Sequence, residues 1–390
     1  MNGACPVPRS TVRLRLNPAY DLSPWPATGG DAGEVTMPGD RWVLTPSGDV
    51  SLPCRFLSKE TSRLLLLLQS WRSLDEVYTL PGVNDVHLQR LVMDAIIKIE
   101  GAGSILTPLQ GAFVLGMNGI DPSRIACNTN GTLSLSALRY GEQLGIVDAF
   151  RLSARLYFFN RAPATLYRRN AFRDPSALFD YIFPQASPPV INWHFTAATI
   201  EEPWHHWTSR WSNYSARRGC FKLYICPTFE AIPDVVRRLV ASIDESDAFH
   251  FKVAGTVTGL HRPDKLVLYF ENLSMLRIYV ERFSREIAAY PAQVLPFTAG
   301  LCESGILSWG SDPPLPRGGM GDRFKSSWRT LVCDILGSAL SVAKTEPDVS
   351  MPPHLFALQR IILEGIDIAS WEWHENSRRK HYLQCEIHTV

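Results

Sequence analysis

Three stretches decide the fold: CFKLYICP (residues 220–227), AFHFKVAG (248–255) and GLHRPDKLVLYF (259–270). Residues two apart on a β-strand share a face. Lys222 and Tyr224 therefore point one way, and Phe221, Leu223 and Ile225 the other. His250 and Lys252 separate from Phe249, Phe251 and Val253 in the same way, and the third stretch adds Arg262 and Tyr269. Neighbouring strands of this kind give one cationic face backed by an apolar one, a candidate site for a phosphate-bearing substrate.

Around these strands the chain reads as α+β. FKLYIC leads to a helix, AIPDVVRRLVASI, and KLVLYF to another, SMLRIYVERFSREIAAY. A turn segment, PFTAGLCESGILSWGSDPPLPRGGMG, opens the helix DRFKSSWRTLVCDILGSAL, and PHLFALQRIILEGI is the last helix. Upstream, residues 1–33 are rich in proline and glycine and are expected to be flexible. RWVLTPSGDVSLPC (41–54) reads as two short strands about a turn. Three helices are expected next: SKETSRLLLLLQSW capped by Ser58, SLDEVYTL, and VNDVHLQRLVMDAIIKIEGAG (83–103). The order within residues 34–107 resembles the winged-helix-like PqqD-like domains, which bind leader peptides by adding them as a strand to a sheet edge. A helical cap or dimerisation unit fits the same pattern. Residues 108–214 read as a connecting region, helical and then strand-like near ARLYFFN, with Trp193, Trp204, Trp207 and Trp211 expected in a core or interface.

Composition narrows the classes. The chain has 390 residues, too many for one small core, so about two or three domains are expected. A net charge of +1 argues against broad nucleic-acid binding. The leucine run 64–68 ends at Arg63 and Gln69, too short for a membrane span. The N-terminus carries charges without a following apolar core, unlike a secretory signal. Eight scattered cysteines with no CxxC pair point to reduced thiols and a cytoplasmic setting, and away from structural zinc. His205 and His206, adjacent on a strand, face opposite ways, so no metal site is expected there.

An amine base, an arginine and a phenol on one face suit β-elimination of phosphate. Lysine ordinarily titrates near pKa ~10.4, and crowding by cations with burial lowers that value until it acts as a base. Arginine stays charged and matches phosphate oxygens with its fork. RGGMGDRF (317–324) adds backbone N–H groups at an expected helix start, with Arg323 in the first turn. No metal or cofactor is required. GxSxG, Walker A, GxGxxG and kinase motifs are all missing from the sequence.

LYICPTFEAIPDVVRRL, FHFKVAG, RPDKLVLYFEN, PFTAGLCESGILSWGSDPP and GMGDRF together resemble the HopA-like type III effector family. The resemblance covers roughly residues 215–370 and is looser upstream from about 130. Homologues of that family serve as the lyase of class V lanthipeptide and thioamitide pathways. There an aminoglycoside-phosphotransferase-like kinase phosphorylates Ser and Thr of a precursor peptide, and the lyase leaves dehydroalanine or dehydrobutyrine. A more distant likeness reaches the phosphothreonine lyases, which carry a KxH strand, a KxK strand and phosphate-binding arginines.

By position, the resemblance implies Lys252 as the base, with Lys222, Arg262 and Arg323 on the phosphate and Tyr269 near the substrate. Tyr224 stands where the acid histidine is expected and His250 where a lysine is, which leaves the acid open between these two. The expectation is thus an α+β lyase domain over 215–390, behind an accessory domain at 34–107, working with a phosphorylated precursor peptide and a kinase. The rival reading is a non-catalytic phosphopeptide- or leader-binding scaffold.

Overall fold

The structure, a computed structural model, describes residues 7–24, 42–47, 55–125, 128–184, 192–211, 220–313 and 327–374, with the backbone of a short strand at 388–389. Its centre is a seven-stranded antiparallel sheet. In chain order its strands are β1 (Trp193–Thr196), β2 (Trp204–Ser209), β3 (Phe221–Ile225), β4 (His250–Ala254), β5 (Leu266–Phe270), β6 (Ala299–Gly300) and β7 (Leu307–Ser311). Across the sheet they run β6-β7-β3-β5-β4-β2-β1.

The alternation of apolar and polar residues fixes the faces. Leu223, Ile225, Phe251, Val253, Leu266, Leu268 and Phe270 enter one core cluster. Above them lie helices α2 (Ile232–Ile243) and α3 (Leu273–Ile287), which contribute Val235, Val236 and Leu239, and Leu276, Val280 and Phe283. Those residues recur at helical spacing, so each helix turns an apolar stripe to the sheet. The opposite face carries the candidate site. It is closed by α1 (Ala149–Tyr157) and α4 (Trp328–Thr345), which pack on α5 (Pro353–Leu363) in a second core with Leu152, Leu156, Val332, Leu336 and Ile361. Gly337 lets α1 and α4 approach closely: a Cβ there would stand 2.6 Å from the Ser153 nitrogen and 2.9 Å from the Ala149 oxygen.

Several expectations need correction. The sheet begins at Trp193, upstream of the expected boundary at 215, because WHHWTS alternates with period two and buries Trp207 in the core. ARLYFFN is mostly helix, since α1 runs through Tyr157. The expected turn segment after residue 296 holds β6 and β7. α4 begins after its Ser327 cap, whose side chain accepts from the Thr330 N–H. Arg323 lies outside the described residues.

The N-terminal unit also differs in part. The segment 1–33 supplies strands Arg13–Leu16 and Tyr20–Pro24, the first of them burying Leu14 and Leu16 in a core of its own. Trp42–Pro46 pairs with Arg55–Leu57, a few residues beyond the expected second strand. The three helices are Lys59–Leu67, Leu74–Tyr78 and Asp85–Met93. The last stops ten residues short of its expected end, at 93 rather than 103, because IKIEG alternates with period two and forms the strand Ile97–Gly101.

Buried ions lock this unit to α5. Arg55 donates to Asp94 at 2.7 Å, Arg360 to Asp94 at 2.7 Å and to Glu364 at 2.8 Å. Such a network is costly to break by removing one member, about 3–5 kcal/mol. No helix among the described residues is long and apolar enough to cross a membrane.

Candidate active site

Register brings the sequence-derived residues together. Lys222, Tyr269, His250 and Thr208 form one row across β3, β5, β4 and β2. Tyr224, Val267, Lys252 and His206 form the next. Strands β3 and β4 do not touch; β5 separates them, and Lys222 and Lys252 lie in adjacent rows, two strand spacings across and two residues along, about 12 Å apart at the backbone.

Three of the cations are anchored on two carboxylates. The Lys222 ammonium donates to Asp312 Oδ2 at 2.6 Å and lies 5.2 Å from the Tyr269 ring centroid. Asp312 in turn accepts from the Trp328 N–H at 2.9 Å, at the start of α4. Burial is the largest single influence and opposes the charge on Lys222, but Asp312 together with Tyr269, Tyr224 and Cys220 outweighs it and holds the pKa well above the ordinary value. Arg262 forks onto Asp264 through two bonds of 2.8 Å and donates to the Tyr157 hydroxyl at 3.1 Å. Arg329, 1% exposed, donates to the same Asp264 carboxylate at 2.8 Å. Burial alone would raise the Asp264 carboxyl; Arg329 and Arg262 instead keep it well below its ordinary range.

Lys252 has no such anchor. Among the described residues its amine makes no hydrogen bond and no ion pair, and it rests 4.1 Å above the Trp204 ring. Burial, then the charges of Lys222 and Arg262, push its pKa down to about 8. Lys265 is also lowered to about 8, but its amine is fixed to the Pro227 carbonyl at 2.5 Å and to Gln293 at 2.6 Å, so it is not available.

The phenols and imidazoles divide by their partners. The Tyr224 and Tyr269 hydroxyls make no hydrogen bond among the described residues. Burial raises both pKa values, so both stay protonated donors at neutral pH. His250 is engaged at both ring nitrogens, with His206 at 3.2 Å and Thr208 at 3.0 Å. His206 continues to Glu202 at 3.2 Å. Burial and the neighbouring His206 and Lys252 push His250 down to about 4, so it is neutral at pH 7. His205 faces away from this site, accepting from the Ala198 N–H at 3.1 Å.

Sequence reading missed Tyr157, Trp204, His206, Asp264, Asp312 and Arg329. Trp204, expected in a core or interface, does join the sheet's core cluster, and its ring also lies under Lys252 and 5.4 Å from Arg262. Asp264 carries a local signal, two residues after Arg262 in the RPD turn. Tyr157 and Arg329 arrive on helices distant in sequence and carry none. In sum, four basic side chains (Lys222, Lys252, Arg262 and Arg329) face two carboxylates, Asp264 and Asp312. The excess is positive, as a site for a dianion requires.

No protein-family model matches the chain, and no curated protein matches it significantly. Among solved structures, an effector protein from Pseudomonas syringae pv. tomato strain DC3000 is similar with a TM-score of 0.41 and 11% identity, covering 63% of this chain and 96% of that one. An effector protein from Pseudomonas syringae pv. syringae strain 61 gives 0.38 and 11%, covering 62% and 96%. A phosphothreonine lyase gives 0.26 and 14%, covering 45% and 88%. Likenesses this distant leave activity to be argued from the side chains.

Proposed function

We propose that this protein is a lyase that eliminates phosphate from phosphoserine or phosphothreonine in a peptide. The observation that carries the reading is the Lys252 amine, unpaired among the described residues and lowered to about 8, beside an excess of fixed positive charge. An amine needed only to bind an anion gains nothing from a lowered pKa, whereas a base does.

The phosphate dianion lies against Lys222 and Arg262, and the neutral Lys252 Nζ takes the Cα proton. The electron pair of the Cα–H bond becomes the Cα=Cβ π bond, and the Cβ–O bond breaks with its electrons on oxygen. The Tyr224 phenol gives that oxygen its proton, so phosphate leaves as the monohydrogen dianion. Tyr224 and Lys252 share a cross-strand row, and the ammonium proton returns to the phenolate through water, closing the cycle without net proton uptake. His250 takes a supporting role here: its two ring nitrogens are already engaged. His206, directly across from Lys252, links His250 to the exposed Glu202 carboxylate.

The finer context follows from the sequence resemblance. The substrate is a ribosomally made precursor peptide, the product carries dehydroalanine or dehydrobutyrine, and an aminoglycoside-phosphotransferase-like kinase supplies the phosphorylated residue. The N-terminal unit is the accessory that holds the leader. Incubating a synthetic phosphoserine peptide with the wild-type chain and with Lys252→Ala tests the core of this, read by mass spectrometry. Loss of phosphoric acid with the wild type alone supports it. Intact phosphopeptide that still binds a folded wild-type chain leaves the scaffold reading, and loss of phosphate to leave serine indicates a phosphatase instead.

A further inference from the structure

The exposed surface beside the site has a composition unlike the rest of the chain. Residues 139–173 hold six exposed arginines, at 139, 151, 155, 161, 169 and 173, in a chain whose net charge is only +1. The acidic residues between them are half-buried and engaged: Glu142 meets His354 at 2.5 Å, and Asp148 caps α1 by accepting from the Arg151 N–H at 2.6 Å. Arg151, Arg155 and Arg169 make no ion pair among the described residues. Large apolar rings stand among these charges, with Phe150 80% exposed, Tyr167 81% and Phe158 43%.

This surface is continuous with the site. Arg151 and Arg155 share one face of α1 at four-residue spacing, and Phe158, the residue that caps its C-terminus, follows three residues on. The Phe158 ring is shared by Arg262 from the site and Arg161 from outside it, each 5.5 Å from the ring centroid. The short helix Leu166–Ala171, which carries Tyr167 and Arg169, buries none of its own residues. It is tied down through Arg168, which reaches Glu230 and lies 3.5 Å from the ring of His261, the neighbour of Arg262.

We propose that the surface formed by α1 and the helix 166–171 docks an acidic peptide segment, with interspersed apolar side chains, that flanks the phosphorylated residue of the substrate. The proposal rests on the lyase reading for the identity of the substrate, and on charge complementarity and continuity with Arg262 for the docking. The nine residues of α1 span about 14 Å, the reach of about four extended peptide residues.

The test uses three fluorescein-labelled probes on the Lys252→Ala chain, so that no probe is consumed. They are a phosphoserine peptide with a five-residue flank of Glu and Phe, the same peptide with Gln for Glu, and a single-stranded oligonucleotide. Fluorescence anisotropy is expected to show the acidic flank binding about tenfold tighter than the Gln flank, with the advantage fading as salt rises. Reversing the outer charges, R151E/R155E/R169E, should erase that advantage. The same reversal in the otherwise wild-type chain should leave turnover of a flankless phosphoserine peptide unchanged. Equal binding of the two peptides, a preference that survives charge reversal, or tighter binding of the oligonucleotide would overturn the docking proposal. Because the readout is binding, a chain that prefers the acidic flank yet eliminates no phosphate refutes the lyase reading and leaves the docking surface standing.

Discussion

The lowered pKa of Lys252 makes a quantitative demand on the pH dependence of turnover. At pH 7 an amine with pKa near 8 is neutral in about one molecule in eleven, against roughly one in three thousand at the ordinary 10.5. The site thus places about 300 times more free base at neutral pH than an exposed lysine would supply. With a phosphoserine peptide, kcat/KM should rise about tenfold per pH unit below 8 and level off above it. The substrate phosphate is already a dianion through most of this range, its second pKa being about 6, so measurements from pH 6.5 to 9.5 isolate the lysine. Lys252→Arg keeps the charge and removes the base. It should cost about 100- to 10,000-fold, the usual worth of a positioned general base. Two results would refute the reasoning: a profile flat from 6.5 to 9.5, or Lys252→Arg within tenfold of wild type. An inflection near 10.5 would place the lysine in a hydrated setting and contradict the burial seen here.

Further consequences follow from the same contacts. With a folded pKa of about 8 and an unfolded one of 10.5, the folded state binds fewer protons between those values; stability therefore rises with pH across that window, and below it the full penalty of about 3 kcal/mol applies. Lys252→Met should therefore abolish elimination yet raise the urea midpoint at pH 7, and an unchanged or lower midpoint would contradict the assignment. Asp264→Asn leaves Arg329 buried without its carboxylate and should cost about 3–5 kcal/mol in denaturant unfolding. Gly337→Ala forces a methyl against the backbone of α1 and should cost about 1–3 kcal/mol. Because α1 and α4 carry Tyr157 and Arg329, the same change should raise KM for the phosphopeptide, and a variant with wild-type stability and KM would show that the helices part without moving the site.

The sheet face was legible because strand alternation is a local signal. FKLYI and HFKVA each state which residues face the apolar core, and the registers through β5 align them. Where the signal was mixed, reading failed: IKIEG continues an apolar run begun by a helix, and the aromatic residues of WHHWTS hide the alternation that puts Trp204 and His206 on the site face. What sets the chemistry was less visible still. The partners that hold Arg262, Arg329 and Lys222, and leave Lys252 unpaired among the described residues, meet only through tertiary packing. Asp312 joins β7 to the start of α4, and Asp264 joins the β5 loop to α1 and α4. The distinction between Lys252 and Lys265, alike in pKa, exists only in three dimensions.

The central claim is removal of the Cα proton by Lys252, and a phosphoserine peptide deuterated at Cα tests it most directly. Mass spectrometry should show wild-type product that has lost phosphoric acid together with its deuterium, formed several-fold more slowly than from the protonated peptide, and no such product with Lys252→Ala. A product that has lost its phosphate and kept the Cα deuterium would mean hydrolysis at phosphorus, and the elimination account would be wrong.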